Sequence, residues 1–427
     1  MIAGLEAQRL TRVTGARPHR AELLTALARV MDFSPTPVVS HHGRVAVLAA
    51  RVAAHLPHVD PRSTFYAALV HDIGTATADV EPPYCSSLEQ QANHPLLRAH
   101  PFVGAQTVAM VPGLFDVAQI ILDHHEWANG HGYPRGKTGD EIPLAAQAIR
   151  FADTCDMLLR EQSSPELVAF IHAVLGRVAS QVTSLVADAG LEVLGEANLY
   201  SQLLVPEDID LLVEGTIRRY AADDLVASES DISSLLEIFG NLADSRPSDK
   251  TGHSRRVANL AVLVAMAMGQ TGDEITLLKW ASFVHDVGLV AVPKTLLDKP
   301  GMLTPQELAD IRRRVILVED FIRPVSGLEE VARVGASHGE AWDGSGYPRG
   351  LSGQEIPLAS RILAVCDTFD ALTSRRPYRE ARDVSLAVDI LVKGSGSLFD
   401  PQVVAAAVPV FLIARGAEDR APVAPKA

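Results

Sequence analysis

His71-Asp72-Ile73-Gly74 lies in the first half of this chain of 427 residues, and 214 positions later the chain reads His285-Asp286-Val287-Gly288. Three further pairs of motifs follow the same offset: His124-His125-Glu126 with His338-Gly339-Glu340, Gly132-Tyr133-Pro134 with Gly346-Tyr347-Pro348, and Asp153-Thr154 with Asp367-Thr368. A repeat at one fixed spacing indicates an internal duplication. The chain is too long for one ordinary core, so we predict two domains of about 200 residues each.

Apolar residues in both copies recur with the period of a helix. At steps of three, four and four, they follow His41 at Val45, Leu48, Val52 and Leu56, and follow His253 at Val257, Leu260, Val264 and Met268. Each histidine therefore lies on the buried stripe of its helix. Sustained alternation of period two is absent from the sequence. We predict an all-α protein of two tandem helical bundles joined by a helical linker.

The domain boundaries follow from the repeat. We expect an N-terminal domain over residues 1–186, a linker over 187–230, a C-terminal domain over 231–415 and a flexible tail over 416–427. The segment between the copies stays compatible with helix instead of becoming rich in Gly and Ser. A helix from Pro206 to Val226 is expected to join the two domains rigidly.

Composition and charge limit the classes of function. With 47% hydrophobic and 21% charged residues, the chain is globular. Its formal net charge of -14 argues against binding to a nucleic-acid duplex through the phosphate backbone. A small anionic ligand is compatible with that charge, because bound divalent ions would set the local potential.

The compartment and the assembly are predicted from weaker signals. The three cysteines are widely spaced with no CxxC pair, which fits a reducing cytoplasm. Apolar runs such as residues 403–414 are too short to span a bilayer, and no secretory signal pattern begins the sequence. We expect a cytoplasmic protein without a membrane partner, with a homodimer as a candidate assembly.

Histidines are concentrated in the first copy, where twelve of the fifteen precede residue 173. Imidazoles combined with carboxylates suit first-row divalent transition metals. Five histidines and two aspartates can hold two ions if one carboxylate bridges them, and two ions about 3.5–4 Å apart can activate a water at a phosphorus centre. The candidate ligands are His41, His71, Asp72, His100, His124, His125 and Asp153. We interpret six of the other histidines as surface or packing residues: His42, His55, His58, His94, His172 and, on balance, His131.

The second copy has lost two of these imidazoles, since His100 maps to Arg314 and His125 to Gly339. It keeps a degenerate set that fits a single ion: His253, His285, Asp286, His338 and Asp367. Arg314 would direct a fixed positive charge towards the vacated position, where a guanidinium can bind phosphate. An ordinary surface role for Arg314 is equally compatible with the sequence.

The ordered motifs resemble the HD-GYP branch of the HD-domain metal-dependent phosphohydrolases. The matching elements are His-x-x-Arg-Val at 41–45, His-Asp at 71–72, His-Pro-x-x-Gly at 100–104, His-His-Glu at 124–126, Gly-Tyr-Pro at 132–134 and Asp153. The resemblance covers both copies and implies an all-helical fold with two or three iron or manganese ions. It also implies hydrolysis of a cyclic dinucleotide such as cyclic di-GMP.

Carried over residue by residue, the resemblance implies one ion on His41, His71, Asp72 and Asp153. It implies a second ion on Asp72, His100, His124 and His125, with Asp72 as the bridging and catalytic carboxylate. Some members hold a third ion through an acidic residue four positions before the first histidine. Pro37 stands there, so two ions are expected.

Two departures from the family pattern concern the substrate. The lysine that commonly follows the His-Asp motif is Thr75 in the first copy. The family's Arg-Pro-Tyr-Arg segment is absent from the first copy but present in the second at 376–379. The candidate substrate contacts are therefore spread over both copies, at Tyr133, Arg314, Arg376, Tyr378 and Arg379.

The favoured function is a two-metal phosphodiesterase in the first copy, acting on a cyclic dinucleotide or a related nucleotide phosphoester. One alternative is a nucleotide-binding signalling module with structural metals. Another is a one-metal phosphohydrolase in the second copy. Redox chemistry also stays open, because di-iron oxygenases share this helical scaffold.

Overall fold

The computed structural model describes residues 18–33, 40–75, 94–161, 166–224, 226, 228–247, 250–374 and 381–418. These residues form nineteen α-helices and no β-strand, which confirms the predicted all-α class. The described residues between 19 and 226 and those between 228 and 418 form two compact units, here called the N-terminal and C-terminal units. Within the described ranges, no helix combines the length and the hydrophobicity needed to cross a bilayer.

The described part of the N-terminal unit contains ten helices. They are α1 (Arg20–Asp32), α2 (His41–Ala54), α3 (Pro61–Leu69), α4 (Pro95–Ala109), α5 (Phe115–Asp123), α6 (Leu144–Glu161), α7 (Leu167–Val178), α8 (Ser184–Leu194), α9 (Leu199–Leu203) and α10 (Pro206–Tyr220). A short 3-10 turn, Ile73–Thr75, follows α3.

Helix α2 is the centre of the N-terminal unit. It packs against α1, α3, α6, α8 and α10, so nearly all of its faces are covered. The stripe predicted from the sequence, Val45, Leu48, Val52 and Leu56, is buried. This packing holds His41, the first residue of α2, inside the unit.

Most of the segment expected to be a linker belongs to the N-terminal unit. Helices α8 and α10 bury Val193, Leu194, Ile209 and Leu212 and pack on α2. Gly43 allows the close approach of α10, because a Cβ there would lie 3.0 Å from Ile209 Cγ2. The helix from Pro206 ends at Tyr220, short of the expected Val226.

In its described residues, the C-terminal unit repeats this order with nine helices. They are α11 (Glu229–Ser245), α12 (His253–Ala267), α13 (Gly272–Val284), α14 (Lys294–Leu297), α15 (Pro305–Ile322), α16 (Glu329–Ala336), α17 (Leu358–Thr373), α18 (Val384–Lys393) and α19 (Pro401–Glu418). Helix α12 corresponds to α2, α15 to α4 and α17 to α6. The core between α12, α17 and α19 contains Val257, Val264, Phe369 and Phe411. Residues 419–427 of the expected tail lie outside the described residues.

Candidate metal centre

Four elements of the N-terminal unit bring six of the seven candidate ligands together, whereas the seventh, Asp153, lies on α6 and outside both groups that could share an ion. His41 begins α2, His71 and Asp72 follow α3, His100 lies in α4, and His124 and His125 follow α5. The His-Asp turn lies directly on α4, because a Cβ at Gly74 would be only 2.1 Å from the carbonyl oxygen of His100. The glycine of the His-Asp-x-Gly motif therefore positions Asp72 next to His100.

The carboxylate of Asp72 lies between two pairs of imidazoles. Its Oδ2 is 3.8 Å from His41 Nε2 and 3.5 Å from His71 Nε2. Its Oδ1 is 3.1 Å from His100 Nε2 and 3.8 Å from His124 Nε2. One carboxylate with each oxygen directed at a different pair has the form of a bridge between two cations.

Three of these imidazoles are oriented by backbone carbonyl groups. His71 Nδ1 donates to Ala68 O at 2.8 Å, and His124 Nδ1 donates to Ile121 O at 2.6 Å. His100 Nδ1 donates to Leu97 O at 2.5 Å, a carbonyl that Pro101 leaves without its usual helical donor. A proton held at Nδ1 leaves the Nε2 lone pair for a metal.

His41 is oriented by a residue that the sequence analysis missed. Asp156 is buried and accepts from His41 Nδ1 at 2.6 Å, and Arg44 and Arg160 also donate to it. Burial lowers the pKa of His41, but Asp156, Asp72 and Asp153 outweigh it and raise the pKa to about 10. Asp156 has a counterpart 214 positions later, Asp370, so the repeat contained a signal for it.

The electrostatics of the remaining ligands suit a cation. Burial lowers the pKa of His71, His124 and His125, so all three imidazoles are neutral near neutral pH. Burial alone would raise the pKa of Asp72, but His71 and the other surrounding imidazoles hold it well below its ordinary value. His71 and His124 therefore offer neutral Nε2 donors beside the ionised carboxylate of Asp72, which is the ligating form of each of these groups.

His125 and Asp153 both contact a buried arginine that the sequence analysis did not single out. Arg150 is 1% exposed, and one of its guanidinium nitrogens donates to His125 Nδ1 at 3.2 Å and to Asp153 Oδ2 at 3.0 Å. The remaining donors bind Gln181 and Thr154. The repeat position is Ala364, so Arg150 belongs to the first copy alone.

The Gly-Tyr-Pro loop is attached to the site through Glu126. This buried carboxylate accepts from the backbone N–H groups of Arg135, at 2.6 Å, and Lys137, at 2.9 Å. The Tyr133 ring stacks on His125 with centroids 4.7 Å apart. Burial raises the pKa of the Tyr133 phenol, and its hydroxyl makes no hydrogen bond within the described part of the chain.

His42 also lies in the site, although we interpreted it as a surface or packing residue. Among the described residues, three groups of side chains could hold a metal ion: Asp72 with His100, His124 and His125; His41 with His42 and His71; and His253 with His285 and Asp367. His55, His58, His131 and His172 are exposed, and His94 is half-buried.

In the C-terminal unit, two protein cations lie on the carboxylate of Asp286. Lys250 Nζ is 2.6 Å from Oδ2, and the Arg314 guanidinium is 3.1 Å from Oδ1. Lys250 was not among the candidates from the sequence. Arg314 lies within the site and not at the surface, with a side chain 15% exposed. In Asp72, each carboxylate oxygen faces a pair of imidazoles. In Asp286, each oxygen instead contacts a positively charged side chain.

The remaining C-terminal candidates surround this ion-pair network. Asp367 Oδ1 lies 3.2 Å from His253 Nε2 and 3.9 Å from His285 Nε2. The ring of His338 contacts that of His285, with centroids 5.0 Å apart. The position of His125 is Gly339, where a Cβ would lie 2.7 Å from the ring of Tyr347. Arg376, Tyr378, Arg379 and Pro37 lie outside the described residues.

Comparisons with known protein families find one matching domain in each unit. Two models described as the HD domain match residues 38–158 and 237–403. A 3'3'-cGAMP-specific phosphodiesterase of Vibrio cholerae is 30% identical over 68% of this chain and 62% of its own length. A cyclic di-GMP phosphodiesterase of Thermotoga maritima is 34% identical over 44% of this chain and 52% of its own length.

A solved structure shares the fold. The crystal structure of a cyclic GMP-AMP-specific phosphodiesterase from V. cholerae matches with a TM-score of 0.64 and 20% identity, over 93% of this chain and 98% of that one. The chain spans about half to three fifths of the length of the two curated relatives. With one HD domain in each half and the ordered motifs in both, the chain belongs to the tandem HD/HD-GYP family.

Proposed function

We propose that the N-terminal unit is a metal-dependent phosphodiesterase that binds two divalent ions around Asp72 and hydrolyses a cyclic dinucleotide. The observation that carries the proposal is the direction of the two Asp72 oxygens towards different imidazole pairs. The names of the relatives, which are cyclic di-GMP and 3'3'-cGAMP phosphodiesterases, support this substrate class.

The donor set fits transition-metal ions. The Nε2 atoms of His100 and His124 are 3.1 Å apart. Two nitrogens bound to one ion at about 2.1 Å and at right angles would be about 3 Å apart. A set rich in imidazole with one bridging carboxylate suits iron or manganese better than magnesium or calcium. When bound, such a pair of ions activates a water and stabilises charge on phosphate oxygens.

The protein's own residues would orient the substrate. Tyr133 presents a buried hydroxyl beside His125, and we propose that it donates to a phosphate oxygen of the substrate. Glu126 holds the loop that carries Tyr133 through two backbone hydrogen bonds. Asp156 and the three backbone carbonyls keep the imidazoles in place, so few groups need to rearrange when the ligand binds.

We assign turnover to the N-terminal unit because Lys250 and Arg314 already neutralise Asp286. A single ion on His253, His285 and Asp367 would face those two cations. The C-terminal unit is proposed as a non-catalytic partner or nucleotide-binding module. The cytoplasmic location and the homodimer stay predictions.

The test uses the full chain loaded with Fe²⁺ or Mn²⁺ without oxygen and assayed against cyclic di-GMP and 3'3'-cGAMP. Asp72→Ala should abolish hydrolysis and metal binding in the N-terminal unit, whereas the matched change Asp286→Ala should leave turnover intact. The proposal fails if the metal-loaded wild type cleaves neither nucleotide, or if only Asp286→Ala abolishes cleavage. Oxygen consumption coupled to product formation would favour redox chemistry instead.

A further inference from the structure

The ring of His42 lies among the ligands of the first ion position. Its centroid is 4.8 Å from that of His41 and 5.2 Å from that of His71. The three residues each offer a nitrogen within 4.8 Å of the other two, and all three are buried. His42 is therefore close enough to share an ion with both neighbours.

Asp32 holds the His42 ring in the orientation of a ligand. His42 Nδ1 donates to Asp32 Oδ1 at 2.5 Å, and the backbone N–H of His42 reaches the same oxygen at 3.3 Å. A carboxylate on Nδ1 fixes the tautomer with its lone pair at Nε2 and strengthens that nitrogen as a donor. The same arrangement holds His41 through Asp156.

The C-terminal unit has a carboxylate that corresponds to Asp32, but it has no imidazole that corresponds to His42. Ser254 follows His253 as His42 follows His41, and its hydroxyl and backbone N–H donate to Asp244 at 2.8 and 2.9 Å. The metal-binding group of that unit is completed by Asp367. In both units, two histidines form part of the candidate metal group. The third member is His42 in the N-terminal unit and Asp367 in the C-terminal unit.

Asp153, the counterpart of Asp367, is held by a cation in the N-terminal unit. Arg150 donates to Asp153 Oδ2 at 3.0 Å and is itself fixed by Gln181 and Thr154. Ala364 at the repeat position offers no such charge. Arg150, which cannot lose its proton, thus occupies Oδ2 of Asp153, so an ion could approach this carboxylate only through Oδ1.

We propose that His42 replaces Asp153 as a ligand of the first ion, so that this ion is held by His41, His42, His71 and Oδ2 of Asp72. The inference rests on the proposed two-metal function and revises the ligand set implied by the family resemblance. Exchanging a carboxylate for a neutral imidazole makes the loaded centre more positive by one charge. That gain favours a phosphate ligand in the copy that has Thr75 in place of the family lysine.

The test compares His42→Ser with Asp153→Asn in the full chain. Serine is the residue that the C-terminal unit carries on the same carboxylate, so His42→Ser retains a partner for Asp32. After metal loading and gel filtration, elemental analysis should show that His42→Ser loses about one equivalent of bound ion. Asp153→Asn should keep the wild-type content. X-ray absorption at the metal edge should count fewer imidazoles per ion in His42→Ser.

The outcomes separate the two proposals. A wild type without bound metal contradicts the proposed function. A wild type with two ions, together with a His42→Ser variant of unchanged metal content and edge spectrum, overturns only the role of His42. Loss of an ion in Asp153→Asn overturns the replacement, whatever His42→Ser does. Far-ultraviolet circular dichroism of each apo variant should match that of the wild type.

Discussion

Replacing Arg314 with alanine should destabilise the C-terminal unit, because Arg314 is one of two cations on a buried carboxylate. Asp286 is 1% exposed and has Arg314 at 3.1 Å on Oδ1 and Lys250 at 2.6 Å on Oδ2. Removing the only partner of a buried charge costs about 3–5 kcal/mol. Lys250 remains in this variant, so we expect about 2–3 kcal/mol.

The effect should depend on pH with a defined sign. Burial alone would raise the pKa of Asp286, but Arg314 and Lys250 hold it well below its ordinary value. A depressed folded-state pKa stabilises the fold above the unfolded-state value, which is about 3.9. The difference between wild type and Arg314→Ala should therefore be complete at neutral pH. It should shrink as the pH falls below about 4 towards the folded-state pKa.

Amide hydrogen exchange, followed peptide by peptide, measures this change in each unit separately. A loss of 2–3 kcal/mol corresponds to about 30- to 150-fold faster exchange in peptides from α12, α13 and α15. Peptides of the N-terminal unit should not change. The matched control is Arg313→Ala on the same helix, where the side chain is exposed. Equal exchange in the Arg314→Ala and Arg313→Ala variants would refute the reasoning.

Three further changes test the N-terminal unit. Gly74→Ala places a Cβ 2.1 Å from His100 O, so it should lower the free energy of urea unfolding by about 1–3 kcal/mol and also lower the metal content. Gly288→Ala is as crowded and should lower stability alone. Equal metal content in the two variants would contradict this expectation. Glu126→Ala removes the acceptor for two backbone N–H groups and should destabilise the loop by about 3 kcal/mol, measured as faster amide exchange over residues 127–138. Unchanged exchange there would show that Glu126 does not hold the loop. Tyr133→Phe should lower kcat/KM about tenfold with unchanged metal content, while Tyr347→Phe should leave kcat/KM unchanged. An unaltered kcat/KM in Tyr133→Phe would exclude a substrate contact by the Tyr133 hydroxyl.

The sequence was sufficient to predict the class of fold and much of the N-terminal site. The stripe after His41 reads as a buried helical face because helix periodicity is a property of spacing along the chain, and the structure confirms the all-α class. The 214-residue repeat picked out the His-Asp turn, the paired histidines and the Gly-Tyr-Pro loop. Asp370 repeats Asp156, so this orienting carboxylate could also have been found.

Other features could not be read from spacing. His42 looked like a surface or packing residue because the second copy has no corresponding histidine, yet the fold places its ring beside His41 and hydrogen-bonds it to Asp32. The segment 187–226 stayed compatible with a linker until Ile209 and Leu212 were seen buried against α2. Burial and contact across the fold, not local pattern, decided both.

By itself, the sequence determined that the chain is a helical duplication and that its first copy alone retains the full set of imidazoles. Only the tertiary structure decided which side chains share a carboxylate. Asp72 is flanked by four imidazoles, whereas Asp286 is flanked by Lys250 and Arg314. The physical reason is that charge pairing depends on distances of 3–4 Å between atoms of segments that are far apart in the sequence. Those distances arise only when the helices pack.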